Sequence, residues 1–260
     1  MNADPESARR RGIYLLPNLL TTAALFAGFY SIVAAVDGSF QRAGAAIFVA
    51  MILDSLDGRV ARLTKTSSQF GKEYDSLSDM VSFGLAPAIV VYQWGVARLT
   101  EWNFTWGRVG WLVAFLFAVA AALRLARFNS QIASYDKRWF VGLPSPSAAG
   151  VVAAFVWLSS KLGIDGLGGL AGAFLVTAAA GALMVSDFRY YSFKEIHFGR
   201  RIPFTWMLAI PLMFMVISVD PPLVFLLMFG AYALSGPIYS YWRRRRRHAE
   251  SASDGVDDGD

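Results

Sequence analysis

An all-α, polytopic transmembrane helix bundle of about eight spans, with both termini cytoplasmic, is the fold this sequence predicts. Three observations point there. Of the 260 residues, 55% are hydrophobic and only 17% charged, with mean hydropathy +0.43, which is too apolar for an ordinary soluble domain. Apolar runs near the roughly 20-residue length of a membrane-crossing helix recur along the chain. Lysines and arginines sort to alternate connections between those runs.

The first run is Leu15–Val36. Arg9–Arg11 precede it as in a signal peptide, but the run is longer than a signal core and no cleavage site follows, so it reads as a mature helix. The next runs are Ala43–Leu63, Met80–Val96 and Val109–Phe128. Ala148–Leu162 and Leu167–Val185 follow, divided only by the glycine-bounded stretch Gly163–Gly166, and then Ile202–Val219 and Leu223–Tyr241. With eight alternating spans, all but four of the 24 lysines and arginines fall on one side, which is therefore cytoplasmic. The exceptions are Arg42, Arg98, Arg108 and Lys161. Residues 1–241 thus form a single transmembrane domain. Tyr241 and Trp242 followed by Arg243–Arg247 make an interfacial anchor and a basic clamp for anionic membrane lipids. Residues 242–260 form a basic, then acidic, cytoplasmic tail, disordered from Ala249.

The net charge of +5 and pI near 9.6 are accounted for by loops facing anionic headgroups, so nucleic acid is not an expected partner. The absence of cysteine excludes disulfides and thiolate chemistry. Two distant histidines, His197 and His248, do not suggest a histidine metal site.

The informative stretch runs from Asp54 to Asp79. Carboxylates within an apolar span are costly, about 2.5–3.5 kcal/mol each at a helix centre, so a chain that carries them uses them. At 100° per residue, Asp54, Asp57, Gly58, Ala61 and Arg62 share a stripe of roughly 140°. Gly71, Asp75 and Asp79 follow at i, i+4, i+8 and share another. If the chain turns back between Arg62 and Gly71, four carboxylates converge. Their repulsion calls for divalent cations, and all-oxygen ligands suit magnesium, manganese or calcium. Gly58 and Ala61 leave room for a base or sugar, and Arg62 could reach a diphosphate. A polar packing seam is the plainer alternative.

The spacing Asp-x2-Asp-Gly-x2-Ala-Arg-x8-Gly-x3-Asp-x3-Asp resembles the signature of the CDP-alcohol phosphotransferase family at every fixed position. That resemblance implies a two-metal site holding Mg2+ or Mn2+. Asp54, Asp57 and Asp75 would ligate the first ion, and Asp54, Asp75 and Asp79 the second, with Asp79 also the general base. Gly58, Ala61, Arg62 and Gly71 would line the CDP group. Pro17-Asn18-Leu-Leu-Thr21 is similar to the family's opening motif and adds Asn18 and Thr21 to the CDP contacts, although Asn18 could equally cap a helix.

Three further motifs resemble the membrane-spanning, phosphatidylserine-forming branch of the family: Val81–Pro87, Arg124-Leu-Ala-Arg127-Phe-Asn129, and Gly142-Leu-Pro144-Ser145-Pro146-Ser147. They imply CDP-diacylglycerol and L-serine as substrates, with Arg124, Arg127 and Asn129 binding serine. Either arginine could instead snorkel to lipid phosphates. Gly142–Pro146 could line the acceptor pocket or simply turn the chain. The implied reaction is direct attack of the serine hydroxyl at phosphorus, releasing CMP. Glycerol 3-phosphate, inositol phosphate or choline remain alternative acceptors, and a cation-coupled transporter is a remote alternative, since the aspartates cluster only in the first half. The resemblance also implies a homodimer, a plasma-membrane location and an active site facing the cytoplasm.

Overall fold

A computed structural model of the chain describes residues 5–64, 68–95, 104–130, 139–164, 166–191 and 204–254. The chain is mostly helical. Helices α1 (Pro5–Val36) and α2 (Phe40–Thr64) form an antiparallel pair. Helix α3 (Gln69–Asp79) leads without a break into a π-helical turn, Met80–Leu85, and then α4 (Ala86–Trp94). Helix α5 (Phe104–Ser130) follows, then strand β1 (Trp139–Val141), α6 (Ser145–Leu162), α7 (Leu167–Val185), β2 (Arg189–Tyr191), α8 (Phe204–Val219) and α9 (Pro221–Asp254). Apart from Gly95, every described residue of the apolar runs read from the sequence is helical, with Met80–Leu85 in the π-helical turn; Val96, Ile202 and Pro203 lie outside the described residues.

Among the described residues, four helices are long and apolar enough to cross a membrane by length and composition: Leu16–Val36, Arg108–Ser130, Leu167–Val185 and Pro221–Arg243. The chain is therefore a membrane protein on its own composition. Large apolar side chains such as Phe26, Phe115, Leu175 and Phe214 are exposed along these helices and α8. Such a belt is stable against hydrocarbon rather than water.

Small residues set the helix crossings. The α1–α2 pair closes through Gly38, whose φ of 73° makes the left-handed turn, and Ser31 Oγ donates to the Ala43 carbonyl at 2.8 Å. At the centre sits α6, whose Ala148, Ala149, Val152, Ala153 and Val156 are wholly buried. A Cβ on Gly44 of α2 would lie 2.9 Å from Trp157 Cβ, and one on Gly150 the same distance from the Phe229 ring. Glycine is thus what lets α2 and α9 approach α6. Phe48 and Phe225 stack over the same core with ring centres 4.3 Å apart. At the far end, Lys161 Nζ reaches Asp220 Oδ2 at 3.0 Å.

Two features differ from the sequence reading. The bundle is not purely helical: β1 and β2 pair antiparallel, Phe140 opposite Tyr190. Gly142, at φ 79°, then turns the chain so that its N–H donates to the Phe188 carbonyl at 2.9 Å. Helix α9 also runs on through the arginines to Asp254. The helix therefore includes Ala249–Asp254, where disorder is expected, while 255–260 lie outside the described residues. Pro237 lies inside this helix and has no N–H to offer the Ala233 carbonyl, which accepts from the Tyr190 hydroxyl instead, at 3.0 Å.

Candidate active site

Asp54 and Asp57 stand near the end of α2, and α3 returns alongside them. Ser68 caps α3, accepting from the Gly71 N–H at 3.0 Å. The turn expected between Arg62 and Gly71 is therefore present, with 65–67 outside the described residues. One carboxylate oxygen each from Asp54, Asp57 and Asp75 lies within 4.8 Å of the others.

Asp79, one helical turn on, is in hydrogen-bond contact with Asp54. It stands beside the trio rather than within it. The π turn begins directly after it. Pro87 has no N–H to offer Phe83, and the Ala86 N–H reaches back five residues to the Val81 carbonyl. Ser78 and Ser82 donate to the carbonyls of Thr21 and Ala24, both at 3.3 Å, which fixes this stretch against α1.

Helix α1 also orients one of these carboxylates. Thr21 Oγ1 donates to Asp57 Oδ2 at 2.6 Å, and both residues are buried. Asn18 lies in mid-helix, because α1 starts at Pro5, so the capping alternative does not hold. Its Oδ1 would be 3.4 Å from a Cβ on Gly71. Thr22 Oγ1 and the Tyr74 hydroxyl are 3.0 Å apart. A Cβ on Gly58 would meet nothing within 4 Å, so open space adjoins the aspartates there. Ala61 is half-buried and Arg62 exposed.

The electrostatics follow from crowding. Burial, and then the charges of Asp54 and Asp57, push the Asp75 carboxyl up to about 7. Burial, and then Asp54 and Asp75, hold Asp79 well above the usual carboxylate range. Asp75 Oδ1 and Asp79 Oδ1 are buried without hydrogen-bond partners among the described residues. Orphaned carboxylate oxygens beside three converging ones form an all-oxygen donor set, and that set fits a hard divalent cation. The cluster could hold a metal; its choice between magnesium and manganese is not encoded in these distances.

The three residues expected to bind the acceptor separate. Arg124 turns inward, where its charge interacts with Asp79, and its Nη1 donates to Ser145 Oγ at 3.0 Å. Arg127 instead pairs with Asp187 at 2.9 Å on an exposed flank. Asn129 Nδ2 donates to Ser76 Oγ at 3.0 Å, tying α5 to α3. Gly142–Pro146 turns the chain and brings Ser145 against Arg124. Tyr232 of α9, whose hydroxyl donates to the Tyr191 carbonyl at 3.1 Å, also lies near Arg124. Sequence reasoning did not single out Tyr232, and no local motif marks it.

Comparison with known proteins agrees with this geometry. The family model described as CDP-alcohol phosphatidyltransferase matches residues 14–185. A CDP-diacylglycerol–serine O-phosphatidyltransferase of Helicobacter pylori is 39% identical over 227 residues, covering 87% of this chain and 91% of that protein. One of the same name from Mycobacterium leprae is 39% identical over 167 residues, 62% of this chain and 52% of that protein. An archaetidylserine synthase of Methanothermobacter thermautotrophicus is 36% identical over 177 residues, 67% and 69% of the two chains.

Proposed function

This chain belongs to the CDP-alcohol phosphatidyltransferase family, and from that premise we propose that it transfers the phosphatidyl group of CDP-diacylglycerol to the hydroxyl of L-serine, releasing CMP. The observation that carries the reading is the convergence of Asp54, Asp57 and Asp75 beside half-buried Asp79, with Arg124 close by. The names of the similar proteins support serine over another alcohol.

The family generally uses divalent metals. Here Asp54, Asp57 and Asp75 would hold one ion, and Asp54, Asp75 and Asp79 a second. When bound, such ions would supply charge neutralisation for the diphosphate and for the charge growing on CMP. The remaining work belongs to the side chains. Thr21 holds Asp57 in its ligating orientation. The space beside Gly58, and the wall made by Asn18 and Gly71, receive the cytidine. Arg62 reaches from the exposed edge toward the diphosphate. Asp79 takes the proton of the serine hydroxyl as the new O–P bond forms and the bond to CMP breaks. Its high proton affinity suits a base.

We further propose eight spans within one domain over 1–241, with 242–260 as the tail. Both termini and the active site would face the cytoplasm across the plasma membrane, and the assembly would be a homodimer. The lysine and arginine asymmetry supports the orientation.

The test is CMP release from CDP-diacylglycerol with magnesium or manganese and each candidate acceptor in turn. Release with L-serine, lost in Asp79→Asn, is the expected result. Release only with glycerol 3-phosphate, inositol phosphate or choline would overturn the acceptor while keeping the chemistry.

A further inference from the structure

We propose that Ser145, the first residue of α6, is a positioning residue that sets the Arg124 guanidinium to receive the carboxylate of the acceptor. The inference rests on the serine reading above and deepens it. Arginine side chains sample many rotamers, so one used for recognition has to be pinned. Ser145 is wholly buried. Pro144 and the turn at Gly142 place it there, one residue into a helix packed at the centre of the bundle.

Its Oγ accepts from Arg124 Nη1 at 3.0 Å. That bond occupies one side of the planar group and leaves the other, where Nε–H lies beside an Nη2–H. Nε is buried and has no hydrogen-bond partner among the described residues. A buried donor left unmade is costly, so this edge calls for an acceptor from a ligand. Two parallel N–H groups match the two oxygens of a carboxylate.

The surroundings choose among anions. Arg124 interacts with Asp79, the proposed base, and with Tyr232. In L-serine the hydroxyl and the carboxylate are separated by two carbon atoms. One molecule can therefore present its hydroxyl to Asp79 and its carboxylate to Arg124. Arg127, by contrast, is engaged with Asp187 on the exposed flank. The diphosphate of the lipid substrate is the competing anion for the same edge, and kinetics separate the two.

The experiment uses the full chain in lipid nanodiscs with CDP-diacylglycerol and varied L-serine. Ser145→Ala is expected to raise the KM for L-serine about tenfold, the size of one hydrogen bond to a charged group. Its kcat and its KM for CDP-diacylglycerol should stay within about twofold of wild type. Ser145→Cys, nearly the same size but a weaker acceptor, should restore part of the loss. Wild type should prefer L-serine to serinol, the achiral analogue whose carboxylate is replaced by CH2OH, and Ser145→Ala should lose about tenfold of that preference. A raised KM for CDP-diacylglycerol would assign Arg124 to the diphosphate and overturn the inference. So would a fall in kcat at unchanged KM for serine, which marks a packing role. Should Ser145→Ala lose its folded thermal transition, Ser145→Cys carries the same comparison. Wild-type turnover with another alcohol and none with L-serine overturns the acceptor reading itself, and shows without any substitution.

Discussion

Asp75 is crowded by two neighbouring carboxylates, and its raised proton affinity has a direct consequence. Below pH 7 the metal-free site holds a proton that a cation must displace. Metal binding should therefore release protons, and apparent affinity should weaken as the pH falls through about 7. Titration calorimetry in buffers of different ionisation enthalpy measures this. A proton count of zero at pH 6.5 would contradict it. Thr21→Val removes the hydroxyl that holds Asp57, and should cost about tenfold or more in the half-saturating manganese concentration. Metal-dependence curves of CMP release check it. The aspartates were legible in the sequence because their spacing obeys helical geometry and their cost in an apolar span demands a use. The fate of the arginines was not. Arg124 and Arg127 differ by three positions, which is close to one turn, and only the distant Ser145 and Asp187 decide which one turns inward. Thr21 was legible as a site residue, but its hold on Asp57 depends on how α1 crosses α2.

Helices were readable where apolar length was unambiguous, and the described parts of the expected runs are helical almost throughout. The β1–β2 ribbon was not, because three residues on each side carry too little pattern and their pairing spans two intervening helices. The π turn was hidden for another reason: it depends on Pro87 lacking a donor while Ser82 is held against α1. These close contacts make two substitutions informative. A Cβ on Gly28 would come within 2.8 Å of Ser82 Cα. Gly28→Ala should therefore destabilise by about 1–3 kcal/mol despite alanine's better helix propensity, since overpacking outweighs the roughly 1 kcal/mol gained. Gly142→Ala combines a left-handed φ with a collision against the Met184 carbonyl, and should destabilise at least as much. Thermal unfolding in detergent ranks both against wild type, and a midpoint at or above wild type for either would refute the corresponding contact.

For the whole molecule, topology is the open quantity that experiment can count. The chain contains no cysteine, so single introduced thiols report without background. Asp37→Cys and Gly166→Cys should react with a membrane-impermeant maleimide in intact cells. Gln69→Cys should react only after the membrane is inverted. Reaction of all three from one face would refute eight alternating spans. Composition placed the protein in the membrane, yet among the described residues four helices qualify by length and apolarity. The second run carries Asp54, Asp57, Arg59 and Arg62 toward its end, and the two aspartates belong to the carboxylate cluster. The β1–β2 ribbon also imposes an order in time. As the chain emerges from the ribosome, every aspartate of the site is present once Asp79 has been made. The partner strand Arg189–Tyr191 arrives more than a hundred residues later. Tyr190 must then still wait for α9, whose Ala233 carbonyl accepts its hydroxyl at 3.0 Å. The carboxylate cluster is thus synthesised early, and the wall that faces it is locked only when the last helix docks.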